Sequence, residues 1–201
     1  MMSRSDLAPD PWGDRVQPDH HAIGQMAADY LLERGHRRLA YLNPDTTLPI
    51  YRHRLTAFRS AAEAAGVSTH VYASKGIEDL NLEAQHLVAQ WMASSDRPTA
   101  LFVPVDRVTL FIYRHLERRG VTPGKDVDII SCDNEKQLLS LMNPPPASID
   151  LNREMIARLA VERLLWRMRN GVSSPSVVTA VSPTLMARET LEGKELEVAP
   201  A

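Results

Sequence analysis

The sequence has a single cysteine, Cys132, and no long apolar run. One thiol cannot form a disulfide within the chain, and no Cys and His side chains stand at the spacing of a zinc site. The chain has no stretch of about 18 apolar residues, and its first twenty residues lack the apolar core of a signal peptide. We therefore expect a cytoplasmic protein without a disulfide, a metal site or a membrane span.

A surplus of positive charge is also absent, since 23 Lys and Arg stand against 25 Asp and Glu, for a net charge of -2. Domains that bind nucleic acid normally carry excess basic charge, so we expect any DNA contact to lie outside this chain. Residues 120–126 contain two glycines but lack the spacing and the Ser or Thr of a phosphate-binding loop. No nucleophile and base stand together either, so we expect neither an enzyme nor a cofactor.

Helical and extended patterns alternate from about residue 19 to residue 142. Apolar residues recur at helical spacing in four segments, at residues 23–31, 55–65, 82–92 and 110–116. Short apolar runs that favour strands follow or separate them, at residues 39–42, 70–72, 100–103 and 127–132. Strands separated by helices of this length indicate βαβ units. The sequence therefore predicts an α/β, Rossmann-like three-layer fold with helices on both faces of a parallel sheet.

The pattern changes after Asn143. Three consecutive prolines, at 144–146, force extended backbone, and residues 148–150 are predicted to form a crossover strand before a helix at 152–170. The apolar stripe of that helix consists of Ile156, Leu159, Ala160, Leu164 and Met168. Residues 177–181 predict one more strand, whereas residues 1–15 and 192–201 are predicted to be a loose N-terminal segment and a polar tail.

Three separated stretches carry a recognisable pattern. The first is GHRRLAYL at 35–42, with RLTAF at 54–58. The second is RPTALF at 97–102, followed by Asp106, by GV at 120–121 and by DVDIISCDN at 126–134. The third joins PP at 144–145, SID at 148–150 and PTLMAR at 183–188. In order and spacing, these stretches resemble the LacI family of ligand-responsive transcription regulators, whose core is similar to a periplasmic sugar-binding protein.

The resemblance implies a periplasmic binding protein type I-like sensor domain over residues 16–191. Residues 19–142 and 175–190 would form its C-terminal lobe, and residues 146–171 would supply the crossover and one helix of an incomplete N-terminal lobe. It also implies a small polar effector such as a sugar or a nucleoside, and a homodimer. DNA binding would belong to a helix-turn-helix head that is not among these residues.

The resemblance also implies two effector-binding residues. Arg54 matches the effector-contacting arginine of the family, and its guanidinium could bind ligand hydroxyls or a carboxylate. Asp133 matches the aspartate after a late strand, where it could accept from ligand donors or cap the helix that starts near Glu135. We expect Asp106 to be a structural helix cap near the cleft.

Three positions depart from the pattern of the family. Val105 stands where many members have asparagine, Ala57 replaces a glycine, and Thr109 replaces an alanine. These departures leave a vestigial, non-binding remnant open as an alternative. A solute-binding protein of a sugar transporter is the other alternative, disfavoured by the missing signal peptide and by the stretch at 35–38.

Two apolar surfaces need a partner. The first is the segment at 137–142, which has more apolar side chains than one helical face can bury and contains the candidate homodimer contacts Leu138, Leu139, Leu141 and Met142. The second is the stripe of the helix at 152–170, which in the family would pack against strands that this chain lacks. A bare stripe is expected to cause self-association, docking or fraying of the helix.

Overall fold

The computed structural model describes residues 13–45, 48–74, 79–171 and 175–187. Within these ranges, residues up to 19 and residues 151–184 form a small unit, and residues 20–150 and those from 185 onward form a large unit. The elements in chain order are β1 (Arg15–Pro18), α1 (His20–Glu33), β2 (Leu39–Asn43), α2 (Pro49–Ala64), β3 (Thr69–Ala73), α3 (Leu80–Ala93), β4 (Ala100–Phe102), α4 (Asp106–Glu117), β5 (Asp128–Cys132), α5 (Lys136–Leu139), β6 (Ala147–Asp150), α6 (Arg153–Asn170), β7 (Val178–Val181) and β8 (Thr184–Met186).

The large unit is built on a six-stranded sheet with the order β3-β2-β4-β5-β6-β8. Neighbouring strands from β3 to β6 run parallel, and Leu39 lies opposite Thr69 on one side and Ala100 on the other. Every residue of β2 and β4 is buried, because a parallel sheet joined through helices is covered on both faces. The predicted α/β fold with a parallel sheet is confirmed.

The two faces of the sheet bury different side chains. On one face, the rings of Tyr41 and Phe102 lie 5.3 Å apart between centroids, and the Tyr41 ring lies 6.0 Å from Phe58 of α2. The opposite face packs against α3 and α4 through apolar residues that include Ala40, Leu42, Leu87, Trp91, Leu101, Ile112 and Leu116. Burial of each large apolar side chain stabilises the fold by about 1.5–3 kcal/mol.

Helices α1 and α2 approach each other closely at Gly24. A Cβ at this position would lie 2.1 Å from the backbone oxygen of Arg54 and 2.9 Å from the Cβ of Ala57. Only glycine fits at such a distance without moving one of the helices. The small residues at 24 and 57 therefore set how close α1 comes to the part of α2 that carries Arg54.

The small unit contains a two-stranded parallel sheet in which Val16 of β1 lies opposite Thr179 of β7. This pairing corrects two predictions. Residue 15, which was predicted to belong to a loose N-terminal segment, begins β1, and the strand after residue 175 pairs with β1 and not with the large sheet. Strand β8, at Thr184–Met186, was not predicted. Strands β1 and β8 are short and mix polar with apolar residues, so neither shows a clear alternation.

A buried carboxylate connects the elements of the small unit. The side chain of Asp14 is 7% exposed and accepts hydrogen bonds from the guanidinium groups of Arg163 and Arg167, the latter at 2.6 Å, and from the backbone N–H of Val177 at 2.8 Å. The hydrogen bond from Arg167, together with those from Arg163 and Val177, outweighs burial and holds the pKa of Asp14 far below its usual range. Asp14 thus ties α6 to the segment that leads into β7.

Helix α6 buries none of its residues. Ile156 and Leu159 are half-buried, but Leu164 is 60% exposed and Met168 is 73% exposed. The predicted apolar stripe is therefore split, because the partly covered face of the helix also carries Arg163 and Arg167, which bind Asp14. Leu164 and Met168 lie on a bare apolar surface, as the sequence led us to expect.

Candidate functional site

The carboxyl ends of β2, β4, β5 and β6 lie at one edge of the large sheet because these strands are parallel and adjacent. Asn43 ends β2, Pro104 follows β4 closely, Asp133 follows β5 and Asp150 ends β6. In open parallel α/β sheets, ligands bind at this edge. It is the candidate site, and we name it the carboxyl edge.

Arg54 reaches the carboxyl edge from α2. Only 3% of the residue is exposed. Its Nη1 donates a hydrogen bond to the backbone oxygen of Pro104, and its Nε lies 3.3 Å from Nδ1 of His20. The guanidinium is therefore fixed beside the end of β4, with its orientation set by α1 and by the turn after the strand.

Arg54 and Asp133 lie at the same edge of the sheet. Arg54 is held beside the end of β4 by its hydrogen bond to Pro104, and Asp133 directly follows β5, which pairs with β4 in parallel. Tyr51, which is half-buried, lies one turn before Arg54 on α2. Burial raises the pKa of the Tyr51 phenol, the positive charge of Arg54 lowers it, and the negative charges of Asp133, Asp45 and Glu83 raise it.

Asp133 lies in a constrained turn. Its φ is 114° and that of Asn134 is 50°, values that residues other than glycine rarely adopt. The turn is held against β6, since the N–H of Asp133 donates to Ile149 O at 2.9 Å and the N–H of Asn134 donates to Ser148 Oγ at 3.0 Å. Such conformations are found at ligand-binding sites, where the surrounding structure enforces them. The N-cap residue of α5 is Glu135 and not Asp133.

Asp106 is not the N-cap residue of α4, and this corrects the prediction. The N-cap is Val105, and Asp106 is the first residue of the helix. Its fully buried carboxylate accepts from the N–H of Glu135 at 2.7 Å and from Ser148 Oγ at 3.0 Å. Burial raises the pKa of Asp106 in spite of these hydrogen bonds. Asp106 therefore joins the turns after β4 and β5 to β6.

Sequence reasoning missed Tyr51 and Asn43. The predicted second helix began at Leu55, whereas α2 begins at Pro49, a residue that favours the first turn of a helix. The position of this proline was the available signal for Tyr51. Asn43 directly follows the predicted strand at 39–42. The available signal for Asn43 was therefore a polar residue at the end of a strand.

The four candidate dimer contacts separate into two pairs. Leu139 is fully buried and Met142 is 4% exposed, and both belong to the core under α3 and α4. They are wrong as contact candidates, because the core of the chain already covers them. Leu141 is 69% exposed and Leu138 is half-buried, so these two remain available at the surface.

Among the described residues, no three side chains of His, Cys, Asp and Glu lie close enough to share a metal ion. None of the helices in the described ranges is both long and apolar enough to cross a membrane.

A parallel sheet with polar side chains after the carboxyl ends of its strands has the layout of ligand-binding α/β domains. The chain belongs to the family of periplasmic binding protein-like domains, whose family model matches residues 28–191. It is 26% identical over 185 residues to the HTH-type transcriptional repressor PurR of Photobacterium profundum, covering 90% of this chain and 54% of the relative. It is 27% identical over 185 residues to the ribose operon repressor of Escherichia coli, covering 91% and 55%.

Solved structures show the same fold. A LacI transcriptional regulator from a Rhodococcus species superposes with a TM-score of 0.79 at 22% identity, covering 90% of this chain and 65% of that chain. A LacI family regulator from Enterococcus faecium with bound ribose also gives a TM-score of 0.79, at 19% identity, covering 92% and 68%. The resemblance to LacI-family regulators is confirmed. The chain spans about half the length of the curated relatives that it matches.

Proposed function

We propose that this chain is the effector-sensing portion of a LacI-type transcription regulator and that it is not an enzyme. The observation that carries the proposal is that Arg54 is held beside the end of β4 while Asp133 directly follows the adjacent parallel strand β5, at the carboxyl edge. The large unit would be the C-terminal lobe of the sensor, and the small unit would be a part of its N-terminal lobe. We place the protein in the cytoplasm and DNA binding in a helix-turn-helix domain outside these 201 residues.

The effector in this proposal is a small polar molecule such as a sugar or a nucleoside. Asp133 offers carboxylate oxygens that accept from hydroxyl or amino groups, and Arg54 offers fixed N–H donors. A few polar groups on a rigid sheet edge, next to the ring of Tyr51, are typical of sites that orient a small ligand. The bound ribose of the Enterococcus faecium structure agrees with this class of effector.

Isothermal titration calorimetry with ribose, glucose, adenosine and serine tests the proposal. We expect one of these compounds to bind. The Asp133→Asn variant should weaken that binding about tenfold or more, because a charged acceptor is lost. Arg54→Lys should also weaken it, since an ammonium cannot reproduce the fork of N–H donors. Asp29→Asn, which changes an exposed carboxylate on α1, is the matched control and should bind normally.

Circular dichroism of each variant separates lost contacts from lost folding, since Arg54 also holds the turn after β4. Native folding together with weakened binding supports the proposal. If the unsubstituted protein binds none of the four compounds, the proposal is contradicted. The alternative of a vestigial, non-binding domain is then favoured.

We also propose a homodimer that uses Leu141 and Leu138. Leu141 is 69% exposed and Leu138 is half-buried, so both side chains are available to a partner chain. Leu141→Glu should convert a dimer to a monomer in sedimentation velocity, whereas Leu82→Glu, which changes an exposed leucine of α3, should not. A monomer for the unsubstituted chain at high micromolar concentration would contradict this assembly.

A further inference from the structure

Asn43 carries a buried oxygen that nothing in the described part of the chain satisfies. The residue is 5% exposed and its Oδ1 has no hydrogen-bond partner there. A buried acceptor without a partner costs stability, whereas most buried side-chain polar atoms in folded proteins are hydrogen-bonded. Such an atom at a ligand-binding edge indicates that the ligand supplies the missing donor.

The alternation of β2 places Asn43 on the same side of the sheet as Arg54. Leu42 packs into the core under α3 and α4. Tyr41 points to the opposite face, where its ring contacts Phe58 of α2 and its hydroxyl donates to the backbone oxygen of Tyr51 at 2.9 Å. Alternate residues of a strand share a face. Asn43 therefore lies on the same face as Tyr41, which is the face covered by α2, and two residues nearer to the carboxyl edge.

We propose that Asn43 is a further effector-binding residue, whose amide oxygen accepts a hydrogen bond from a hydroxyl or N–H group of the ligand. The inference rests on the proposed function and extends it from Arg54 and Asp133 to the end of β2. It also specifies chemistry, since the ligand atom that faces Asn43 is a donor. A carboxylate or phosphate oxygen cannot play that part.

Ser74 offers a matched comparison. It is also 5% exposed, its Oγ also lacks a partner in the described ranges, and its N–H donates to Asn43 O at 2.9 Å. Alternation from Tyr72, which packs against the core under α3 and α4, continues to Ser74 on the face away from Arg54. Two neighbouring polar side chains, equally buried and equally unpartnered, thus differ in the face that they occupy.

The experiment measures binding and ligand-free stability for Asn43→Leu, Asn43→Asp and Ser74→Ala. Binding is measured by calorimetry with the member of the ribose, glucose, adenosine and serine panel that the unsubstituted protein binds most tightly. We expect Asn43→Leu to weaken binding about tenfold or more, because the acceptor is removed. Asn43→Asp keeps an acceptor of the same shape and should retain binding within roughly threefold, and Ser74→Ala should not change it.

The midpoint of thermal unfolding without ligand is an independent readout. Removal of an unsatisfied oxygen does not destabilise the free protein, so the midpoint of Asn43→Leu should be equal to or higher than that of the unsubstituted chain. A lower midpoint, normal binding by Asn43→Leu, or equal losses for Asn43→Leu and Asn43→Asp would overturn the role of Asn43 alone. If no panel compound binds the unsubstituted protein, the proposed function falls, and this inference falls with it.

Discussion

The large unit and the small unit are stabilised by different physical means. In the large unit, every residue of β2 and β4 is buried and aromatic and aliphatic side chains fill both faces of the sheet. In the small unit, α6 buries none of its residues, and the strongest described connection is the buried Asp14 between two arginines. Apolar burial is additive over many contacts, whereas a single charged cluster depends on every one of its partners.

The largest expected effect contrasts one leucine from each unit. Leu101 is fully buried in β4, so Leu101→Ala should lower the free energy of unfolding by about 2–5 kcal/mol. Leu164 is 60% exposed on α6, so Leu164→Ala should change it by less than about 0.5 kcal/mol. Urea unfolding followed by circular dichroism measures both. An equal loss at the two positions would show that a partner covers Leu164 in solution.

The second effect tests the close approach of α1 and α2. Gly24→Ala places a Cβ 2.1 Å from Arg54 O, which forces the helices apart and should cost about 1–3 kcal/mol. The displacement also moves Arg54, so ligand affinity should fall. Gly13→Ala in the small unit is the control, since its Cβ would meet nothing within 4 Å. Unchanged unfolding of Gly24→Ala would contradict the close crossing.

The parallel sheet could be predicted from the sequence because its strands are continuous apolar runs between helical stripes. Glycines with positive φ, at 35, 66 and 120, lie after α1, α2 and α4, where helices commonly end. The pairing of β1 with β7 could not be predicted, because Val16 and Thr179 are far apart in the chain and neither strand alternates. Local pattern determines elements, but not which distant elements meet.

In the candidate site, too, local sequence patterns indicate single residues but not their distant partners. Arg54 and Asp133 were predicted from motifs, but the partners of Asp106 were not, since Glu135 and Ser148 lie 29 and 42 residues away. The unsatisfied oxygen of Asn43 has no signature in the sequence at all. Whether a polar atom has a hydrogen-bond partner depends on the packing of several elements, which is known only once the chain is folded.

The third effect concerns the charged cluster of the small unit. The low pKa of Asp14 means that its carboxylate contributes stability above about pH 4 and that this contribution is lost as the pH falls toward the folded-state value. Asp14→Asn should remove it at every pH and accelerate amide hydrogen exchange in β1 and β7. Exchange in β2 and β4 should not change.

Asp96→Asn is the control for Asp14. The ion pair of Asp96 with Arg38 has side chains 66% and 51% exposed, so its removal should leave exchange unaltered. Accelerated exchange in both variants would mean that the exposed Asp96 and the buried Asp14 contribute equally to stability. That result would contradict the view that a buried charged cluster stabilises the small unit.

The smallest effect is a pH dependence within the large unit. His115 is 4% exposed, and its Nε2 lies 3.2 Å from Asn81 O, so this nitrogen carries the hydrogen of the neutral ring. Burial, together with the nearby Arg119, Arg118 and Arg114, lowers the pKa of His115. His115 therefore binds a proton more tightly in the unfolded chain than in the folded one. The contribution of the neutral His115 ring to stability is complete above about pH 6.5 and declines as the pH falls below that value.

His115→Gln keeps a donor for Asn81 but cannot be protonated, so its unfolding free energy should decline less between pH 7 and pH 5 than that of the unsubstituted chain. The exposed His86 of α3 gives the control His86→Gln, which should keep the original slope. Urea unfolding at three pH values between those limits measures the difference. Equal slopes for His115→Gln and the unsubstituted chain would show that His115 is solvated, and the core between α3 and α4 would then be looser than the structure has it.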